Sequence, residues 1–199
     1  MKTRIIFALA AAMMLTGCIT TKNSAPAIIE SDVSNAKDDY ERYILTYYPL
    51  AIEQMNRYGI PASITLAQGL LESGAGKSEL ARKSNNHFGI KADKSWNGST
   101  VSSMDNGKIC KFRKYKKVGE SYEDHSKFLT GGERYASLFR LKKNDYEGWA
   151  KGLKKAGYAE DRQYPQKLIS LIERYGLYKY DNYKPGNTPK KNPGNAQSI

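Results

Sequence analysis

Glu72 is the residue of this chain best placed to do chemistry, because it closes an otherwise apolar run that begins at Ile60. On a helix, Ile64, Leu66, Ala67, Leu70 and Leu71 would cover most of the circumference. Thr65, Gln68 and Glu72 recur at i, i+3 and i+7 as a narrow polar stripe. The spacing predicts a buried central helix that starts at Pro61, whose fixed φ suits a first helical position, and ends near Ser73. One face of it is expected to look into something wet or polar. In the last turn, the partial negative charge of the helix end and the apolar neighbours both disfavour a carboxylate and raise its pKa. An acid that keeps its proton near neutral pH is what general acid catalysis requires. Gly74, Ala75 and Gly76 follow at once, keep bulk away from the carboxyl and permit positive φ, so a large polymer could reach it. Periodicity alone does not separate this acid from a solvated helix-end glutamate.

The remaining reactive side chains point to no second chemistry. His87 and His125 have no metal-ligand spacing with cysteines or carboxylates, so neither a metal site nor any cofactor is implied. Cys18 and Cys110 are the only cysteines. Cys110 falls in a strand-like run, distant in sequence from either histidine, and is expected to be a small buried residue and not a nucleophile. No disulfide is expected.

The elements that must position Glu72 are mostly helical. Tyr40–Tyr58 has helical spacing through Tyr43, Ile44, Tyr47, Ala51, Ile52 and Met55, with a kink or break expected at Pro49. A short helical turn is expected over Ser78–Lys83, and Asn85 and Asn86 then sit where asparagines bond either backbone or a ligand. Thr100–Ser103 and Lys108–Phe112 flank Asp105-Asn106-Gly107, a strong hairpin signal. Ser121–Leu129, Tyr135–Leu141, Tyr146–Ala156 and Tyr164–Tyr175 read as helices, with Asp145 a helix N-cap and Gly157 and Gly176 at helix ends. The expected fold class is mainly α with one small β-hairpin lobe.

The 199 residues carry a formal charge of +12. Such an excess draws a protein to polyanions, which include nucleic acid, anionic lipid and a carboxylate-bearing wall. The densest basic run, Lys108 to Lys117, interleaves aromatics with cations as nucleic-acid binders do, but its alternation also fits a hairpin strand with a solvated basic face. The N-terminus decides between these partners. Lys2 and Arg4 precede the apolar run Ile5 to Leu15, too short to span a bilayer, and Leu15-Thr16-Gly17-Cys18 resembles a bacterial lipobox. Residues 1–17 are therefore expected to be a cleaved lipoprotein signal and Cys18 to be lipidated. Each buried acyl methylene would add about 0.8 kcal/mol of membrane affinity. Cleavage removes Lys2 and Arg4 and no acid, which leaves +10. Ile19 is similar to the non-acidic residue that directs such proteins to the outer membrane. Residues 18–39 are expected to be a flexible tether, 40–181 a single catalytic domain and 182–199 a disordered tail. An exported protein is expected to meet the membrane through its lipid and the wall through its charge, and not nucleic acid.

The runs AQGLLESGAGKSELA (Ala67–Ala81) and NNHFGIK (Asn85–Lys91) resemble the signature of the glucosaminidase family of peptidoglycan hydrolases, glycoside hydrolase family 73. FRKY at Phe112, SYEDHSKFL at Ser121, RYASL at Arg134 and the stretch from Lys154 to Asp181 resemble it in the same order, so the likeness covers about Tyr40 to Asp181. The resemblance implies a lysozyme-like α+β domain that acts as an endo-β-N-acetylglucosaminidase, cutting the β-1,4 bond after N-acetylglucosamine in peptidoglycan glycan strands. It carries Glu72 over as the catalytic acid, and Tyr158, in Gly-Tyr-Ala, as an active-site tyrosine that orients substrate.

The second catalytic group departs from the family pattern. Many relatives have a glutamate just before the hairpin turn, where Ser103 and then Met104 stand here. Asp105 is the nearest replacement, either as base or as a turn residue; Glu120 and Glu123 are more distant, and the substrate's own N-acetyl group could attack instead. Sugar rings stack on aromatics, and among 15 Tyr and two Trp, Phe88, Trp96 and Tyr115 join Asn86 as candidate substrate contacts. A monomer is expected. Two alternatives remain: a lytic transglycosylase, and a non-catalytic peptidoglycan-binding lipoprotein.

Overall fold

The computed structural model describes residues 26–28 and 30–183; the signal segment, Cys18, the first part of the tether and residues 184–199 lie outside them. The elements in chain order are α1 (Glu30–Ser34), α2 (Asp39–Tyr58), α3 (Ala62–Ser73), α4 (Glu79–Ser84), β1 (Thr100–Asp105), β2 (Lys108–Arg113), α5 (Val118–Gly131), a 3-10 helix (Glu133–Arg140), α6 (Tyr146–Lys155), α7 (Tyr164–Tyr175) and a closing 3-10 helix (Leu177–Asn182).

The apolar run before Glu72 forms α3, in which every residue from Ala62 to Leu70 is buried. It packs against α2, α6, α7 and the closing 3-10 helix, which makes it the axis of the domain. Its N-terminus is capped from the far end of the chain: Ser63 N donates to Asp181 Oδ1 at 2.8 Å and Ser63 Oγ to Oδ2 at 2.6 Å. A carboxylate there meets the positive end of the helix dipole and satisfies a backbone N–H left unpaired by the helix.

The break expected at Pro49 does not occur. Proline removes one helical hydrogen bond, but Tyr48, Ala51 and Ile52 on either side are buried in the core, and α2 runs through from its cap at Asp38. The segment expected as tether has local structure over its last part, since α1 packs on α2 and Ala27 O accepts from the Tyr48 hydroxyl at 3.2 Å. Tyr135–Leu141, expected as α-helix, is instead the 3-10 helix Glu133–Arg140. Its two buried side chains, Tyr135 and Leu138, are three residues apart and align on one edge at three residues per turn.

The hairpin forms where Asp-Asn-Gly predicts it, with Asn106 and Gly107 at φ 48° and 76°, as a two-residue turn of this type requires. Pairing runs from Asp105↔Lys108 at the turn to Thr100↔Arg113 at the base. Alternation puts Val101, Ser103 and Asp105 on one face with Phe112, Cys110 and Lys108, and exposes the cross-strand pair Met104 and Ile109 on the other. The lobe is bolted to α5 by Arg113, whose Nη1 reaches both carboxylate oxygens of Asp124 at 3.0 and 3.1 Å.

Candidate active site

Glu72 sits one residue before the end of α3, where the chain leaves through three successive left-handed residues, Gly74, Ala75 and Gly76 (φ 56°, 55° and 76°). Ser73 fixes this exit: its Oγ donates to Gly69 O at 2.5 Å and accepts from Gly76 N at 2.7 Å. The chain therefore turns away immediately and leaves the carboxyl uncovered.

The Glu72 side chain is exposed to solvent. Even so, protein atoms crowd it closely enough that burial raises its pKa above the ordinary glutamate value, while a hydrogen bond from Tyr164 acts in the lowering direction. Exposure and crowding together describe a carboxyl in a concavity open to water. Among the described residues no cation pairs with it to fix it as a carboxylate. The Tyr164 hydroxyl donates to Glu72 Oε1 at 3.0 Å and accepts from Gln68 Nε2 at 3.0 Å. The polar stripe on α3 thus does not face water along its length. Thr65 and Gln68 are fully buried, the first bonded back to Pro61 O and the second to Tyr164, and only Glu72 emerges. Tyr164 is the candidate site residue that spacing could not identify. Its only trace in the sequence is Gln68 itself, a buried amide one turn before the acid that must find a partner.

Tyr158 lies beside this pair. Its ring is 5.7 Å from that of Tyr164, and its phenol is pushed far above its ordinary pKa, first by burial and then by the negative charge of Glu72. The loop that carries it leaves α6 through Gly157 (φ 76°), and Lys154 Nζ secures it by donating to Ala159 O at 3.0 Å and Glu160 O at 2.8 Å. From Tyr158 an aromatic cluster continues to the buried Tyr135 at 6.3 Å and His125 at 6.1 Å and to Phe128 at 6.4 Å, of which only Phe128 is exposed.

Asp105 lies at the hairpin turn in an ion pair with Lys91 at 2.6 Å. Lys91 is also within electrostatic reach of Glu160, two residues after Tyr158.

The other candidate contacts are placed differently. Asn86 is buried, and its amide is committed to Ile90 O, Ile90 N and Arg113 O. Phe88 is buried and stacked on His125 at 4.0 Å. Tyr115 is buried, with its hydroxyl donating to Asp124 at 2.5 Å. These three shape the connection between α4, the hairpin and α5 and offer no surface to a ligand. Trp96 is half-buried, with its indole N–H on Ser99 O and the Arg113 guanidinium 4.8 Å over its ring. Cys110 is a free, half-buried thiol on the inner hairpin face. Among the described residues no cluster of three potential metal ligands occurs.

A helical domain with a two-stranded lobe, and a solvent-reachable glutamate of raised pKa at the end of its central helix, is the arrangement of the lysozyme-like folds. Residues 48–177 match the Glucosaminidase family, described as mannosyl-glycoprotein endo-beta-N-acetylglucosaminidase, and the chain belongs to that family. It is 36% identical over 140 residues to exo-glucosaminidase LytG of Bacillus subtilis, covering 65% of this chain and 49% of that protein. It is 32% identical over 150 residues to peptidoglycan hydrolase FlgJ of Pseudomonas aeruginosa, covering 69% of this chain and 37% of that one. The chain thus spans half or less of these relatives. Among solved structures it resembles the catalytic domain of the autolysin Auto from Listeria monocytogenes (TM-score 0.62, 30% identity, 76% of this chain and 94% of that one). It also resembles the glycoside hydrolase domain of FlgJ from Salmonella typhimurium (TM-score 0.59, 32% identity, 70% and 89%).

Proposed function

We propose that this protein is a cell-wall hydrolase, an endo-β-N-acetylglucosaminidase that cleaves the β-1,4 bond after N-acetylglucosamine in peptidoglycan, with Glu72 as the general acid. The observation that carries the proposal is the state of Glu72: reachable from solvent, unpaired with any cation among the described residues, raised in pKa and held by one tyrosine hydroxyl. Membership in the glucosaminidase family, and relatives named as peptidoglycan hydrolase and exo-glucosaminidase, supply the substrate class. In this mechanism Glu72 hands its proton to the leaving glycosidic oxygen. Tyr158 packs against the sugar being cleaved, and Asp105, held by Lys91, activates the attacking water. Asp105 lies at the hairpin turn, nearest the position where the family resemblance expects the second carboxylate, and this favours it over Glu123, which sits on α5 and is engaged by Arg57 of α2 and by Lys127. Cys18 is proposed as a lipid anchor, most simply in the outer membrane, with the segment up to residue 39 as the arm between membrane and domain.

Mass spectrometry of digested wall tests this. Fragments ending in reducing N-acetylglucosamine are expected, released from within strands, and Glu72→Gln should lower their release by about 10²-fold or more. Ends in 1,6-anhydro-muramic acid would instead mark a lytic transglycosylase. Release of only terminal sugars would mark the exo mode of LytG. Binding to wall without any release would mark a non-catalytic protein.

A further inference from the structure

A groove of about 800 Å³ runs between the start of α2, the end of α3 and the first half of α7, apart from the aromatic cluster that extends from Tyr158. Its lining is apolar at Tyr40, Leu71 and Leu171 and polar at Arg162, Gln163, Gln166, Lys167 and Ser170. It begins within one residue of the site at two points, since Leu71 precedes Glu72 and Gln163 precedes Tyr164, and consecutive Cα atoms are about 3.8 Å apart. Its polar lining residues are all exposed. Lys167 is paired with Asp161 at 2.6 Å, whereas Arg162 forms no ion pair among the described residues.

We infer that this groove holds the acidic peptide carried by alternate sugars of the glycan, and so reads the peptide substitution of the strand being cut. The inference rests on the proposed action of Glu72 on peptidoglycan. The lining selects a peptide over a sugar. Sugars are held by open aromatic faces, and the single aromatic here, Tyr40, already has one face stacked on Tyr175 at 5.7 Å and 10°. A guanidinium, an ammonium, two amides and a hydroxyl together with aliphatic side chains suit carboxylates, peptide groups and small alkyl side chains. The volume fits a few amino-acid residues.

The test compares peptide-bearing wall with the same glycan stripped of its peptides by an amidase. Wild-type protein is expected to show kcat/KM about tenfold higher on the peptide-bearing strands, the size of one charge-assisted hydrogen bond. Arg162→Glu and Gln166→Glu, both at exposed positions, should each bring the ratio between the two substrates close to one. A wild-type ratio of one, a ratio unchanged by both variants, or equal losses on both substrates overturns the inference and leaves the glycosidase proposal standing. Failure of wild-type protein to cleave either substrate removes the glycosidase proposal, and this inference with it.

Discussion

The hydroxyl of Tyr164, the first residue of α7, donates to Oε1 of Glu72, the penultimate residue of α3, at 3.0 Å across 92 residues of chain. Because that hydroxyl also accepts from Gln68 Nε2, its own proton is directed at the carboxyl. The acid is therefore positioned by a partner that favours its ionised form, within surroundings that favour the neutral one. Two opposed influences of this kind set a titration point that one substitution can move.

Tyr164→Phe removes the influence that lowers the pKa of Glu72 and keeps the one that raises it. General acid activity is lost as pH rises through that pKa, so the alkaline limb of the kcat/KM profile is expected to move to higher pH in the variant. The maximal rate should fall as well, since the carboxyl loses its orientation. A limb that stays in place, measured by muropeptide release across pH, would show that Glu72 is not the group being titrated. Thermal stability should drop by about 1–3 kcal/mol, because Gln68 is left with an unpaired buried amide.

Asp181 makes a second long-range contact, with a purely structural consequence. It caps α3 through the backbone N–H and hydroxyl of Ser63. Asp181→Ala should cost about 2 kcal/mol in chemical denaturation, from the lost cap and the buried N–H left without a partner. Asp181→Asn, which retains an acceptor oxygen, should cost less. Undiminished stability in Asp181→Ala would show that α3 is capped by something other than this carboxylate.

The buried histidines predict sensitivity to acid. Burial lowers His87 to about 4 and His125 to about 3, from 6.5. His87 Nδ1 bonds the Tyr43 hydroxyl at 2.9 Å, and neither ring nitrogen of His125 has a partner among the described residues. The unfolded chain binds these protons first, so stability present above pH 6.5 is lost as pH falls, by about 2 kcal/mol per histidine at pH 5. Asp181 acts oppositely: burial raises it to about 6, the folded state takes its proton first, and about 1.4 kcal/mol returns between pH 8 and 5. A net loss of roughly 2–3 kcal/mol is expected between pH 8 and pH 5. His125→Phe, which keeps the ring stacked on Phe88, should roughly halve the histidine contribution. An identical pH dependence in that variant would rule His125 out as a source.

How much of this was legible in the sequence depended on the range of each interaction. Glu72 could be found because an apolar helical run ends on it and a glycine-rich exit follows, both local facts. The hairpin was legible for the same reason, Asn106 and Gly107 taking the positive φ that their types favour. The polar stripe of α3 marks a polar environment but not which one: the Gln68 amide nitrogen meets the hydroxyl of Tyr164, 96 residues away, and not water. The same limit applies to Asn86 and Tyr115: residue type shows that they can hydrogen-bond, and only the fold shows that Ile90, Arg113 and Asp124 already occupy them. The 3-10 helix over Glu133–Arg140 escaped because Tyr135 and Leu138 fit either helical period.

Asp105 poses the sharpest question about the mechanism, since its carboxylate is bound to Lys91 at 2.6 Å at the hairpin turn. If it activates water, Asp105→Asn should lower kcat by about 10²-fold with little change in KM, the size expected for loss of a general base. Lys91→Met should then lower kcat as well, because the ion pair that holds the Asp105 carboxylate in place is lost. If the N-acetyl group of the substrate attacks instead, Asp105→Asn retains full turnover while Glu72→Gln does not, and a substrate lacking that acetyl group becomes inert. Measuring kcat for the two variants on one wall preparation decides between a protein base and a substrate nucleophile. The Lys91 variant shows whether the hairpin lobe takes part in the chemistry.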